Sequence, residues 1–302
     1  MISIIICTYN RDRFLGSCLE SLTSQSCSPS EYEIILVNNR STDNTHQLCL
    51  DFSERNPGFR IRYFIEENQG LSFARNRGIR EAEGDLLAFA DDDAVLCRDY
   101  VKNLRDEFGG SGIAAGGGKI LPMWEKSRPK WMSRFLLPLV SVIDLGAEPV
   151  KFSGKKYPIG ANMFFRREVF SQVGLFDTRL GRSGGNLMGS EEKDIFLKIR
   201  TAGLDIVYCP DIWVYHIVPE ERTKMDFVKK QARGIGKSER VRTLDSRMEW
   251  FKSIGREALK WGATFILAFF YLLGADYEKA KALVRFRYWV SKGLLFKDDK
   301  DD

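Results

Sequence analysis

Three consecutive carboxylates, Asp91-Asp92-Asp93, follow directly on the apolar run Leu86–Ala90. Adjacent aspartates repel one another and Asp continues a strand poorly, so the run marks a strand end. Two chemistries suit it. A solvated turn is one, because Asp readily bonds its own backbone there. A hard-cation site is the other: in extended backbone, residues i and i+2 project the same way, so Asp91 and Asp93 could offer oxygens to one divalent ion. A second acidic pair, Glu191-Glu192, opens a helical stretch behind Ser190, a good N-cap, and carboxylates in a first turn suit the helix dipole. Which reading holds depends on where the chain carries these groups.

The elements that position them alternate. Ile2–Cys7 is a continuous apolar run, as expected of a strand buried on both faces, and Thr8-Tyr9-Asn10-Arg11 breaks it. Phe14, Leu15, Cys18, Leu19 and Leu22 then form one helical face behind Asp12. The spacing predicts strands at Glu33–Val37, Arg60–Ile65 and Asp85–Ala90, with helices from Asn44 to about Glu54 and from about Ser72 to Glu83 between them. Strands alternating with helices of this length mean βαβ units and a parallel sheet. Ligands of such sheets bind beyond the carboxyl ends of the strands. Thr8–Arg13, Asn38–Asp43, Asn68–Gly70 and Asp91–Asp93 all fall there, and this convergence favours the cation reading over the turn.

Farther on, a helix is expected at about Asp99–Phe108 and a short strand at Ile113–Gly118. No GxGxxG or P-loop spacing is present, so these glycines indicate no dinucleotide site. Residues 122–158 are irregular and proline-rich, with apolar side chains that suit packing beneath long loops or a lid. Gly160–Arg166 reads as a returning strand and Gly174–Asp177 as a turn. The glycine-rich segment Gly181–Gly189 leads into the helix Glu191–Ala202, and extended stretches follow at Leu204–Tyr208 and Trp213–His216.

At 302 residues, 44% hydrophobic and 29% charged, the chain suits one large α/β domain with an appendage, and general disorder is excluded. The net charge of +5 is uneven: residues 222–260 carry 12 Lys+Arg against 5 Asp+Glu. That segment suggests a surface meeting phosphate or anionic lipid, a solvated basic helix being the alternative. The six cysteines form no CxxC pair and read as reduced thiols of a cytosolic protein. The N-terminus starts a core strand, with no signal-peptide pattern. The longest apolar run, Gly262–Ala275, falls short of the ~20 residues that span a bilayer.

Taken together, these segments resemble family 2 glycosyltransferases of the GT-A fold. The matching pieces occur in family order: Ser3–Arg11 (SIIICTYNR), Ile35–Thr45 (ILVNNRSTDNT), Asn68–Gly78 (NQGLSFARNRG), Asp85–Asp93 (DLLAFADDD), Gly160–Arg167 (GANMFFRR), Gly174–Asp177 (GLFD), Gly189–Gly203 (GSEEKDIFLKIRTAG) and Tyr215-His216. The match covers about residues 1–216. It implies a Rossmann-like domain with a mostly parallel central sheet, a nucleotide-sugar donor at its edge and a divalent cation, Mn²⁺ or Mg²⁺. Thr8, Tyr9, Asn10 and Arg13 would line the nucleotide pocket, and Asn68 and Arg75 would hold base and phosphate; Arg75 could instead be structural, bonding the aspartate turns. Asn38 stands where the family usually has Asp to accept the uracil N3–H; an Asn carbonyl can still accept that bond. Asp93 would ligate the metal directly, with Asp91 on the ribose or a metal-bound water, Asp92 able to exchange roles with either, and His216 as a late ligand. Glu192 falls on the family's base position, and Glu191 would orient the acceptor.

The expected activity is metal-dependent, inverting transfer of a sugar from a nucleoside-diphosphate sugar, a UDP-sugar, to a glycan or lipid-linked acceptor in polysaccharide or glycoconjugate synthesis. A catalytically silent sugar-nucleotide-binding scaffold and a sugar-phosphate nucleotidyltransferase stand as alternatives. Residues 1–221 read as the catalytic domain and 222–302 as a basic, amphipathic helical extension. The extension is expected to meet a membrane interface, placing the protein in the cytoplasm at the inner face of the cell membrane; packing on the catalytic domain or a homodimer contact would give the same pattern. No nucleic-acid partner is expected. His46 is assigned no function, and Asp298–Asp302 reads as a solvated tail.

Overall fold

The computed structural model describes residues 1–110, 112–154, 156–182, 190–243 and 246–296. Most of the glycine-rich segment Gly181–Gly189 and the whole acidic end lie outside the described residues. By internal contacts the chain forms two compact units. One comprises residues 1–123, 141–178 and 191–217; the other comprises 124–140, 179–190 and 218–302.

The first unit is α/β. It begins β1 (Ile2–Thr8), α1 (Asp12–Thr23), β2 (Tyr32–Asn38), α2 (Thr45–Arg55), β3 (Arg60–Ile65), α3 (Leu71–Glu81), β4 (Leu86–Asp91). It continues β5 (Ala94–Leu96), α4 (Tyr100–Asn103), β6 (Ala115–Trp124), β7 (Val150–Lys151), β8 (Asn162–Arg166), α5 (Val169–Val173), α6 (Glu191–Thr201) and β9 (Ile206–Val218). The sheet order is β3-β2-β1-β4-β8-β6-β9-β5, with β7 also paired to β9. Alternation along β1 splits the core between the two faces of the sheet. Ile4 and Ile6 pack with Leu15, Cys18 and Leu22 of α1, whereas Ile5 packs with Ile35, Val37 and, from α3, Ala74 and Ile79. All six cysteines are free.

The sheet is parallel only over β3-β2-β1-β4. Beyond β4, β8 pairs antiparallel with both β4 and β6, and β5 and β7 pair antiparallel with β9. The reason lies in the connections. A parallel neighbour needs a crossover of a dozen or more residues, usually a helix, and past β4 the chain supplies only a four-residue α4, a π-turn at Leu104–Gly109 and a 3₁₀ turn at Arg134–Val140 before β8. The helix expected at 99–108 is present, as one α turn at Tyr100–Asn103 that continues into π-helix at Leu104–Gly109. The two extended stretches expected at 204–208 and 213–216 are one strand, β9, running through Pro210; it pairs with β7 before that proline and with β5 after it.

The second unit contains α7 (Met225–Thr243), α8 (Arg247–Leu273) and α9 (Tyr277–Leu295), with α9 packed on both α7 and α8. Gly236 of α7 and Gly293 of α9 let those two backbones touch: a Cβ on Gly236 would lie 2.1 Å from the Val290 carbonyl oxygen, and one on Gly293 would lie 2.3 Å from that of Arg233. Between α8 and α9, Glu257 binds Arg287 (3.2 Å) and Ser291 (3.0 Å), and Trp261 Nε1 donates to Ser291 Oγ (2.9 Å). No described helix is long and apolar enough to cross a membrane.

Two glycines separate tight packing from open space. A Cβ on Gly118 of β6 would sit 1.5 Å from the Ile212 carbonyl of β9, whereas Gly16 in α1 has nothing within 4 Å. Gly118→Ala should lower unfolding free energy by about 3 kcal/mol or more, since backbone must shift. Gly16→Ala should raise it by roughly 0.4–1 kcal/mol through the unfolded chain. Denaturant melts of the two variants check both signs.

Candidate active site

Strand register assembles the site at the carboxyl edge of the sheet. Thr8 lies beside Asn38, Cys7 beside Asp91, and β5 sets Ala94 opposite His216. The Ile217 amide donates to the Asp93 carbonyl at 2.9 Å, locking β9 to the acidic turn. As a result Asp91, Asp93 and His216 bring one potential ligand atom each within 4.8 Å of one another. Asp93 Oδ1 is 3.0 Å from His216 Nε2, and both side chains are buried. Arg11 reaches over this group, 3.5 Å from Asp92 and 3.6 Å from Asp93. Burial pushes the Asp92 carboxyl up to about 7, against the pull of Arg11 and with the push of Asp93.

A second charged group joins the first. Arg75 of α3 is buried, its Nη1 donating to Glu191 (2.8 Å), its Nη2 to Glu192 (3.3 Å), with Asp91 at 4.0 Å. Burial disfavours its charge, but Glu192, Glu191 and Asp91 outweigh that and hold the guanidinium above its ordinary value. Two features make room for this junction. The Phe176 ring lies 5.5 Å under the guanidinium, pinned there because the buried Asn76 amide bonds the Phe176 backbone in both directions, at 2.9 and 3.0 Å. Gly160 leaves the space that Arg75 and Glu192 fill: a Cβ there would come within 2.2 Å of the guanidinium and 2.4 Å of the carboxylate.

The two glutamates differ in access. The Glu191 side chain is 2% exposed and that of Glu192 is 19%. Burial and the neighbouring Glu192 charge push the Glu191 carboxyl up to about 8 despite Arg75. Glu191, the more deeply buried of the two, accepts from Arg75 Nη1.

The remaining residues cluster at the ends of β1, β2 and β3. Asn38 Nδ2 donates to Tyr63 Oη (2.8 Å) and its Oδ1 accepts from the Ser41 amide (2.8 Å). Tyr63 Oη is in turn 2.7 Å from His46 Nδ1, which gives His46 a place in the cluster. Asn10 adopts a positive φ of 53° and braces the 38–43 loop, accepting from the Thr42 amide at 2.7 Å. Asn68 is exposed, its amide and side-chain nitrogens both donating to Glu66 at 2.8 Å. Tyr9 is partly exposed, Thr8 is buried, and Arg13 is exposed with its guanidinium 4.9 Å over Phe14.

Comparison with known proteins places this edge. Residues 3–174 match the description "Glycosyl transferase family 2". The chain belongs to that family. It is 29% identical over 248 residues to a glucosyl-dolichyl phosphate glucuronosyltransferase of Haloferax volcanii, covering 80% of this chain and 77% of that one. It is 28% identical over 232 residues to the succinoglycan biosynthesis protein ExoM of Rhizobium meliloti, covering 76% and 71%. Among solved structures, a mannosyltransferase from Pyrobaculum calidifontis in complex with GDP-Man and Mn²⁺ superposes with a TM-score of 0.65 at 17% identity, covering 98% of this chain and 88% of that one. That likeness shows the fold, GT-A.

This chain is therefore a glycosyltransferase, and its edge suits a divalent cation on its own chemistry. Two carboxylates and an imidazole converge, a donor set of hard oxygen and borderline nitrogen. Arg11 lies beside Asp92 and Asp93, and Arg75 beside Asp91, Glu191 and Glu192. Sequence reading passed over Arg11, Asn76 and Asn39. Asn39 is buried and ties Glu66, Asn68 and Gly70 together at 2.7–3.0 Å. Each stands next to a residue that was singled out, and only contacts across the fold distinguish them.

The Glu191 carboxyl sets a pH dependence. Its native value lies above that of the unfolded chain, so the native state holds the extra proton and stability falls as pH rises from about 4.5 towards 8. Glu191→Gln should flatten that slope. Thermal melts of both proteins between pH 5.5 and 8.5 check it; parallel slopes would remove Glu191 as the cause.

Proposed function

We propose that this glycosyltransferase is metal-dependent and inverting, and moves a sugar from a nucleoside diphosphate donor to a hydroxyl of a glycan or lipid-linked acceptor. The observation that carries this reading is the Arg75 junction, which joins the Asp91/Asp93/His216 group to one accessible carboxylate, Glu192. Asp91, Asp93 and His216 would hold Mn²⁺ or Mg²⁺. Bound there, the cation supplies charge neutralisation for the departing nucleoside diphosphate. Glu192 takes the proton of the acceptor hydroxyl as its oxygen bonds the anomeric carbon. The bond to the diphosphate breaks with its electron pair on the leaving oxygen. Attack opposite the leaving group inverts that carbon.

The protein's part is to hold Glu192 in place, with Arg75 Nη2 donating to it at 3.3 Å. Arg11 screens Asp92 and Asp93. Thr8, Tyr9, Asn10, Arg13, Asn38 and Asn68 line the nucleotide side. We take the nucleobase to be uracil, its N3–H received by the second lone pair of Asn38 Oδ1, the first being used by the Ser41 amide. The related glucuronosyltransferase carries a dolichyl phosphate in its description, which supports a lipid-linked acceptor. Residues 1–221 then form the catalytic domain and 222–302 the extension.

Glu192→Gln should retain donor binding within about 3-fold while transfer falls by at least ~10²-fold, the scale of a lost general base. Asp93→Asn should lose the Mn²⁺-dependent part of donor affinity in calorimetry with and without chelator. Equal donor affinity in wild type with and without chelator would sink the metal assignment, and unchanged turnover in Glu192→Gln would move the base elsewhere.

The extension meets a membrane surface at its inner face. α8 exposes Met248, Phe251, Leu259, Ile266, Phe270 and Leu273, and helical spacing sets them on one stripe along about 40 Å of helix. Lys252 and Lys260, both exposed, flank that stripe within a net-basic segment. An amphipathic helix of this kind lies in the interface plane. Ile266→Glu with Phe270→Glu should abolish flotation with vesicles containing anionic lipid while leaving the melting temperature within a few degrees; undiminished flotation would overturn the membrane contact.

A further inference from the structure

A cavity of about 420 Å³ lies in the helical unit, lined by Arg240 and Thr243 of α7, Arg247, Trp250 and Phe251 of α8, and Leu294 and Leu295 of α9. Its lining is divided by chemistry. On one side stand two guanidiniums and a hydroxyl; on the other, an indole, a phenyl ring and two leucines. No carboxylate is among the described lining residues. Close by, other cations are neutralised: Arg242 and Arg256 bind Glu239, Arg287 binds Glu257 and Lys252 binds Glu249. Arg240 and Arg247 form no ion pair among the described residues. The cavity also meets the first turn of the 27-residue α8, whose amide dipoles add positive potential.

We propose that this cavity binds a phosphate group carried on a hydrocarbon chain, a lipid phosphate. Arg240 and Arg247 would grip the phosphate, the fork geometry of guanidinium matching its oxygens. Thr243 lines the same side, its hydroxyl donating to the Glu239 carbonyl at 2.9 Å. Trp250, Phe251, Leu294 and Leu295 would cover the first carbons of the chain. Phe251 also belongs to the exposed stripe of α8, so the hydrocarbon leaves the cavity along an apolar surface. A free phosphate would leave four apolar side chains idle, and a neutral lipid would leave two guanidiniums unanswered. The lipid-borne phosphate alone uses both halves.

The proposal deepens the lipid-linked reading of the acceptor, yet its test needs neither transfer nor a membrane. Calorimetry of the full chain uses monomeric dihexanoyl phosphatidic acid, dihexanoyl phosphatidylcholine and inorganic phosphate as probes. Dihexanoyl phosphatidic acid should bind at least ~10-fold more tightly than either other probe. Arg240→Gln with Arg247→Gln should lose that preference, with an unchanged circular dichroism spectrum and melting temperature. Trp250→Ala should weaken the lipid probe and leave inorganic phosphate as it was. Equal affinity for phosphatidic acid in wild type and the arginine double variant would overturn the site. So would inorganic phosphate binding as tightly as the lipid, or phosphatidylcholine binding as tightly as phosphatidic acid. Wild-type transfer activity stays intact in any of these outcomes, so failure of the cavity and failure of the glycosyltransferase reading are told apart.

Discussion

A single buried guanidinium organises the charged edge of this protein. Arg75 is 3% exposed, and a charge at that depth is tolerated only when paired and hydrogen-bonded. Its partners come from distant parts of the chain: Asp91 at the end of β4, and Glu191 and Glu192 at the start of α6. Removing Arg75 would leave buried carboxylates facing one another; removing the carboxylates would strand the guanidinium. Gly160, Asn76 and Phe176 are constrained by the same junction, one by leaving space and two by supporting the ring beneath it.

The sheet explains how such distant residues meet. Its parallel half delivers the ends of β1, β2, β3 and β4 to one edge, a consequence of the βαβ connections. Its antiparallel half returns the chain across that edge, so that β9 carries His216 past the acidic turn and hydrogen-bonds Asp93 through Ile217. Arg11 and Arg75 stand beside the carboxylates brought together there, and Asp91, Asp93 and His216 converge on one another.

The helical unit follows a different logic. Its buried ion pairs and the Gly236–Gly293 crossing fix α7, α8 and α9 in register, while one long face of α8 stays apolar and exposed. The bundle buries Val228, Ala232, Leu283, Val290 and Leu294 together with its polar contacts, yet leaves large apolar side chains of α8 in the open. The cavity lined by Arg240 and Arg247 lies at the head of that face.

Much of this was legible in the residues. Continuous apolar runs fixed β1, β2 and β4 because strands buried on both faces need them, and the polar clusters at their ends had to share an edge once the connections were read as crossovers. The Asp triplet, Glu191-Glu192 and His216 were therefore visible as types at positions. What stayed hidden depended on contacts between segments far apart in sequence. Asp91 and Glu192 are about a hundred residues apart, and only the folded sheet puts Arg75 between them. The sequence presents two adjacent glutamates; burial of one at 2% and partial exposure of the other at 19% is a property of packing alone. Sheet direction past β4 and the single run of β9 through Pro210 were likewise settled by which strands found partners. Local pattern determines what each segment can form, whereas charge pairing and burial, summed over the whole chain, decide which of its groups can react.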